Sequence, residues 1–266
     1  MLVVAATLTA SCASATAPAA GPSSSTSSLT AASSPEVPPV PGIQAEVVRL
    51  RTDEAVGGRV QIRITDTGDA PFAVTAVALD SPGFERLGAT TVAAAFEPGR
   101  TIDLPAPYGE PVCSSAPLPA AVRATIVRPD GTAEGVRLPL AAEVLELIHT
   151  EECAAIAVLA VVDIEVTGLR EDGDALRGDL TLARRSGDEA VTVHRLGRSV
   201  LIVAAADGLP LELGREAEDA STPVGFTLAS CDPHVLSETK KPYVFPLVVT
   251  VGDGSDVSLD LPLDDA

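Results

Sequence analysis

Alternation of apolar and polar residues is the main pattern of the chain after residue 42. Val60, Ile62 and Ile64 alternate with polar side chains, and so do Leu180 and Leu182. Successive side chains of a β-strand point to opposite faces, so this period of two places the apolar set on one face. The pattern therefore predicts strands that bury one face in a core.

Turn and helix signals lie between these segments. Asp-Gly pairs at 130–131 and 253–254 separate apolar runs and predict hairpin turns. One segment, Ala141 to Cys153, instead has a helical character, with Val144, Leu145, Leu147 and Ile148 as its apolar residues. We therefore predict a short helix there.

The alternating pattern occurs twice. Gly58–Ile64 aligns with Leu176–Leu182 at an offset of 118 residues, and Val122–Leu140 aligns with Phe245–Leu263 at an offset of 123. The change of offset indicates an insertion of five residues in the second copy. The period is too long for a solenoid repeat and suits a β-sandwich of about 100 residues.

These patterns together predict an all-β chain. We expect two tandem immunoglobulin-like β-sandwich domains, at residues 43–145 and 155–266, joined by a short helical connector at 146–154. Residues 13–42 are almost entirely Ala, Ser, Thr and Pro. Such a segment has little large apolar surface with which to offset its ordering entropy, so it predicts a disordered tether.

Residues 1–12 predict an export signal that ends in a lipid-attachment site. Leu2–Leu8 is too short to span a bilayer but matches the apolar core of a signal peptide. Thr9-Ala10-Ser11-Cys12 resembles the lipobox of bacterial lipoproteins, which implies a diacylglyceryl group on Cys12 and cleavage before it. A cytosolic protein with an accidental apolar N-terminus is the alternative.

No Lys or Arg precedes the apolar run, so we expect the natural start to lie upstream. The lipobox resemblance implies a protein held on the extracytoplasmic face of the cell membrane, with the lipid bilayer as a partner.

Composition and charge narrow the classes of function. A formal net charge of −19 argues against nucleic acid as a partner, because phosphates would repel it. Aromatic residues make up 3% of the chain and Trp is absent, so we expect a core of Val, Leu, Ile and Ala. The chain has none of the common catalytic or nucleotide-binding motifs. We expect no cofactor and no enzymatic activity.

Three cysteines remain beside Cys12. An exported chain is oxidised, so a disulfide is expected, and an odd count leaves one thiol over. A Cys113–Cys153 bond would pin the helix to the first domain, and we favour it. A Cys153–Cys231 bond would join the two domains instead.

A metal site is a weaker interpretation of the same region. Zinc or Cu(I) would accept two cysteines and two histidines, which here would be His149, Cys153, Cys231 and His234. The spacings match no zinc motif, and oxidation would consume the thiolates. We expect no metal, with the histidines as polar residues at a domain boundary.

The segment from Cys231 to Pro246 contains the insertion and is the predicted contact loop. In an acidic chain with few aromatic residues, it concentrates Lys240, Lys241, Tyr243 and Phe245. The competing interpretation is a helical turn capped by Asp232, with Val235 and Leu236 pointing inward, followed by a strand.

Two motifs resemble a group of uncharacterised actinobacterial secreted lipoproteins. They are Leu147-Ile148-His149-x3-Cys153 and Cys231-Asp-Pro-His-x3-Glu-x-Lys-Lys, and the resemblance spans most of residues 100–250. It implies a secreted, membrane-tethered protein and carries over no activity. We expect the chain to bind an unknown envelope protein or ligand; a metal-binding lipoprotein and a structural spacer are the alternatives.

Overall fold

The computed structural model describes residues 36–141, 143–239 and 243–263. The predicted signal peptide, Cys12, most of the tether and the two lysines Lys240 and Lys241 lie outside the described residues. No helix in the described ranges is long and apolar enough to cross a membrane.

The last residues of the predicted tether belong to the fold, so the tether prediction is wrong there. Val37 is buried, and Val40 packs against the first hydrophobic core. Two branched apolar side chains in this Pro-rich stretch supply the contact surface that the preceding Ala/Ser/Thr run lacks.

Strands β1 to β7 form what we name the first half. They are β1 (Ile43–Val48), β2 (Arg59–Asp66), β3 (Phe72–Asp80), β4 (Thr90–Phe96), β5 (Thr101–Pro107), β6 (Ala121–Val127) and β7 (Ala133–Ala141). A short helix α1 (Arg51–Val56) follows β1. The seven strands share one sheet in the order β4-β3-β6-β7-β1-β2-β5. Their pairings are antiparallel except that between β1 and β7.

Strands β8 to β15 form the second half. They are β8 (Val162–Asp172), β9 (Ala175–Arg184), β10 (Val191–Leu196), β11 (Ile202–Ala206), β12 (Leu211–Leu213), β13 (Asp219–Leu228), β14 (Pro246–Val251) and β15 (Val257–Asp260). They form two four-stranded sheets, β12-β10-β14-β15 and β11-β13-β9-β8.

A helix, α2 (Glu143–Val161), lies between the halves and is longer than the predicted connector at 146–154. Leu145 and Ile148 belong to the core of the first half, and Val158 belongs to the core of the second half. The apolar spacing continues past Cys153, so the helix persists until it enters β8. One helix thus contributes to both cores.

The prediction of a mostly β chain is confirmed. Val60, Ile62, Ile64, Leu180 and Leu182 are all fully buried, as their alternation predicts. The predicted turn at Asp130-Gly131 joins β6 to β7, and Gly131 has a φ of +84°, which favours glycine. The second predicted turn, at Asp253-Gly254, lies between β14 and β15. There the residue with a positive φ, +57°, is Gly252.

Most of the strand order of the first half recurs among the described residues of the second half, which adds β11 and does not pair β15 with β8. The set β1-β2-β5 corresponds to β8-β9-β13, and β4-β3-β6-β7 corresponds to β12-β10-β14-β15. The register agrees, since Val60 lies opposite Ala106 and Gly178 lies opposite Val224, each 118 positions further on. Equivalent residues of the halves can therefore be compared at this offset along these strands.

Candidate binding surface

A disulfide joins Cys113 to Cys153, which is the favoured pairing, and Cys231 is free and exposed. Cys113 lies in the loop between β5 and β6, and Cys153 lies near the middle of α2, with 5.6 Å between their Cα atoms. The bond fixes α2 against the first half.

His149 lies beside this disulfide and is nearly buried. Its Nε2 is 3.3 Å from the carbonyl oxygen of Val112 and 3.7 Å from Sγ of Cys153. Its ring packs edge-on against Phe84, with 5.5 Å between the ring centroids. These contacts account for a polar residue at the boundary between helix and sheet.

The four residues of the candidate metal site do not provide four ligands. Cys153 is bonded to Cys113 and therefore has no thiolate to offer. His234 is exposed in the second half, with its Nε2 3.6 Å from Glu238. In the part of the chain that the structure describes, no group of three or more His, Cys, Asp or Glu side chains is arranged to hold a metal ion.

A second contact between α2 and the first half involves Tyr108, just after β5. The Tyr108 hydroxyl donates a 2.6 Å hydrogen bond to the Glu152 carboxylate. Burial, with the neighbouring carboxylate, raises the pKa of Tyr108. Burial also raises the pKa of Glu152, and the charges of Glu110 and Glu151 add to this, while Tyr108 and Arg49 oppose it.

Two clefts, of about 550 and 530 Å³, flank this contact, and Tyr108 and Glu152 line both. Arg49 lines the smaller cleft and pairs with Glu151 at 2.6 Å. The contact thus joins α2 to the end of β5, through Glu152 and Tyr108.

The predicted contact loop is wrong for Phe245. Its side chain is 2% exposed and packs edge-on against Phe226, with 5.2 Å between the ring centroids. Phe245 immediately precedes β14 and joins the second core, so it cannot meet a partner. Tyr243 is 66% exposed.

The competing interpretation of the same loop holds in part. A helix, α3 (Pro233–Glu238), follows Asp232, whose Oδ1 accepts a 2.8 Å hydrogen bond from the backbone N–H of His234. Leu236, however, is exposed rather than inward.

The second half exposes an apolar surface at one end of its β11-β13-β9-β8 sheet. Leu176 lies opposite Phe226, and Ile202 lies opposite Leu228. Phe226 belongs to the core and Leu228 is two residues further along the same strand, so all four side chains are on the inner face. Leu176 is nevertheless 45% exposed and Leu228 is 63% exposed.

We name this surface the open end and define it by Leu176, Ile202, Phe226 and Leu228. They line a cavity of about 350 Å³, which Glu171 and Asp174 border. An inner sheet face is normally covered by another element, so these exposed leucines make the open end the candidate binding surface.

Sequence reasoning missed the open end, although the duplication contains a signal for it. At the offset of 118 residues, Leu176 stands where the first half has Gly58, and Leu228 stands where it has Glu110. A change from glycine and glutamate to leucine at two cross-strand neighbours would have singled out this end of the second copy.

Comparison with known proteins gives matches among solved structures, all at low similarity. No family model matches the chain, and no curated protein does. Among solved structures, red sea bream transglutaminase is similar over 85% of this chain at 10% identity, with a TM-score of 0.26. This chain spans about a third of the transglutaminase, since the match covers 32% of it.

Two further solved structures are similar at the same level. The YadV chaperone matches over 82% of this chain and 98% of its own, at 14% identity and a TM-score of 0.23. An enterococcal surface protein, in part of its N-terminal region, matches over 84% of this chain and 94% of its own, at 10% identity and a TM-score of 0.20.

Proposed function

We propose that this chain is a lipoprotein anchored through Cys12 on the extracytoplasmic face of the cell membrane, where it binds another envelope protein. The observation that carries the binding role is the open end, where Leu176 and Leu228 are exposed on an inner sheet face. Leaving their exposed parts in water forgoes about 1 kcal/mol for each leucine, since about half of each side chain is already buried. A partner that covers them would recover it.

Export is supported by the Cys113–Cys153 disulfide together with the lipobox-like sequence at residues 9–12. Disulfides persist in oxidising compartments and are rare in the cytosol. Two acyl chains on Cys12 would hold the protein on a membrane, at about 0.8 kcal/mol for each buried CH₂ group.

We also propose that the two halves are tandem immunoglobulin-like β-sandwiches. The support is the recurrence of one strand order in both halves, with a separate hydrophobic cluster in each. A rigid spacer is the competing function, because α2 contributes side chains to both cores and would hold the halves in a fixed arrangement.

Phase separation tests the anchor. The full chain and its Cys12→Ser variant are expressed in an actinobacterial host and extracted with a detergent that separates into two phases on warming. The full chain should enter the detergent phase and the variant should enter the aqueous phase. Equal partitioning would contradict lipidation at Cys12.

Site-specific photo-crosslinking in those cells tests binding. A photoreactive amino acid replaces Leu228 in one variant and Val56 in the control, which is comparably exposed at 68% but lies in the first half. Position 228 should give an adduct of discrete mass with an envelope protein, and position 56 should not. A spacer would give no adduct at either position.

A further inference from the structure

Because the two halves are copies of one unit, the contacts made in the first half can be compared with those at the open end of the second half. At the offset of 118 residues, Phe226 corresponds to Tyr108, and both aromatic side chains are buried at the same end of equivalent strands. Helix α2 contacts Tyr108, which donates a hydrogen bond to Glu152 of the helix. In the described part of the second half, no helix lies over Phe226, and Leu176 and Leu228 remain exposed beside it.

The cysteines show the same difference between the halves. Cys113 corresponds to Cys231 at the same offset. Cys113 is bonded to α2, whereas Cys231, three residues after Leu228, is free and exposed. Among its described residues, the second half thus has an aromatic residue and a cysteine equivalent to those that contact α2, but no helix in the place of α2.

The charged residues that border the open end indicate what kind of helix could bind there. Glu171 and Asp174 border the cavity of the open end. Asp172 pairs with Arg177 at 2.7 Å, but within the described ranges no ion pair involves Glu171 or Asp174. A helix that covers the leucines would therefore meet two uncompensated carboxylates at its edge, which favours Lys or Arg there.

The same charges argue against other occupants. A second copy of the chain would bring another net charge of −19, and α2 itself has four glutamates. An anionic membrane surface would also be repelled. A cationic helix from a different protein avoids these costs.

We propose that the open end binds an amphipathic helix with a basic flank, supplied by another protein, in the position that α2 occupies on the first half. This inference rests on the proposed binding function and names the chemistry of the partner. The apolar stripe of the helix covers Leu176 and Leu228, and its basic flank pairs with Glu171 and Asp174.

Two synthetic peptides are the probes. The first has the sequence of residues 143–161, with Cys153 replaced by serine to prevent disulfide exchange. The second has the same sequence but with lysine in place of its four glutamates, so that only the charge of the polar face differs. The protein is the full chain with Cys12→Ser, labelled at Cys231 with an environment-sensitive fluorophore.

We expect the lysine peptide to change the fluorescence saturably, and the glutamate peptide to bind roughly tenfold or more weakly. Leu228→Glu should weaken binding of the lysine peptide by roughly tenfold or more. Val56→Glu, at a comparably exposed residue of the first half, should leave it unchanged. A double change of Glu171→Lys and Asp174→Lys should reverse the preference between the peptides.

Three outcomes would overturn the inference. They are no binding of the lysine peptide, binding that Leu228→Glu leaves unchanged, and self-association of the unlabelled chain that Leu228→Glu abolishes in sedimentation velocity. The last outcome would assign the open end to a second copy. Because Leu228 is exposed, its substitution should leave the circular dichroism spectrum unchanged.

The photo-crosslinking experiment separates this inference from the proposed function. An adduct at position 228 would retain the binding function. If the lysine peptide then does not bind, or binds equally well to the Leu228→Glu variant, a basic helix is rejected as the partner. Absence of an adduct would reject the binding function itself.

Discussion

Loss of the Cys113–Cys153 bond should destabilise the first half by about 4 kcal/mol. The bond closes a loop with a sequence separation of 40 residues. In the loop-entropy relation, a loop of this size lowers the entropy of the unfolded chain by about 13 cal/mol/K, which is about 4 kcal/mol at room temperature. We therefore expect the Cys113→Ser, Cys153→Ser double variant to lose that free energy of unfolding.

The folded state should survive this change. Leu145 and Ile148 of α2 remain fully buried in the first core, and full burial of such side chains contributes about 2 kcal/mol each. The helix therefore stays docked without the bond, and the loss arises mainly in the unfolded chain. With a urea dependence of about 2 kcal/mol/M, the unfolding midpoint should fall by about 2 M.

Tyrosine fluorescence gives a local assay. The chain has two tyrosines and no tryptophan, so a Tyr243→Phe background leaves Tyr108, beside α2, as the reporter of the first half. Cys231→Ser removes a free exposed thiol and is the control, with an expected change within about 0.5 kcal/mol. A midpoint shift below about 0.5 M for the double variant would refute the loop-entropy reasoning.

Three further predictions concern single residues. The native state holds the proton of Glu152 more tightly than the unfolded chain does, because the pKa of Glu152 is raised on folding. Protonation of Glu152 therefore contributes to stability in acid, and this contribution is lost as pH rises through the raised pKa. Glu152→Gln should gain stability over wild type toward neutral pH, as measured by urea unfolding. Asp53→Ala removes the acceptor, at 2.8 Å, of the buried Gln61 amide and should cost about 1–3 kcal/mol in urea unfolding. Gly109→Ala would place a Cβ 2.5 Å from a backbone carbonyl oxygen and should lower the midpoint of thermal unfolding.

Each of these variants has a matched control. Glu146→Gln removes an exposed carboxylate from α2 and controls for the change in net charge. Asp103→Ala breaks a partly exposed ion pair with Arg63 and should cost less than about 1 kcal/mol. Gly88→Ala meets nothing within 4 Å. The reasoning fails where a variant and its control change stability equally.

The sequence was sufficient for the strands and for the duplication. Alternation at Val60, Ile62 and Ile64 reflects the two faces of a strand, which is a local property of the backbone. The recurrence of strand order follows from a repeat that is visible as aligned segments. The favoured disulfide was also predicted, although by choice between two pairings that spacing alone left open.

Only the tertiary structure decided which elements meet. Phe245 looked like a contact residue in a distinctive loop, yet it fills the space beside Phe226. Helix α2 outlasts its predicted end because its second part packs on the second core. Leu176 and Leu228 are 52 residues apart in sequence and become neighbours through pairing of β9 with β13. Whether such leucines are covered depends on distant parts of the chain, since burial is a property of the assembled layers and not of a local pattern.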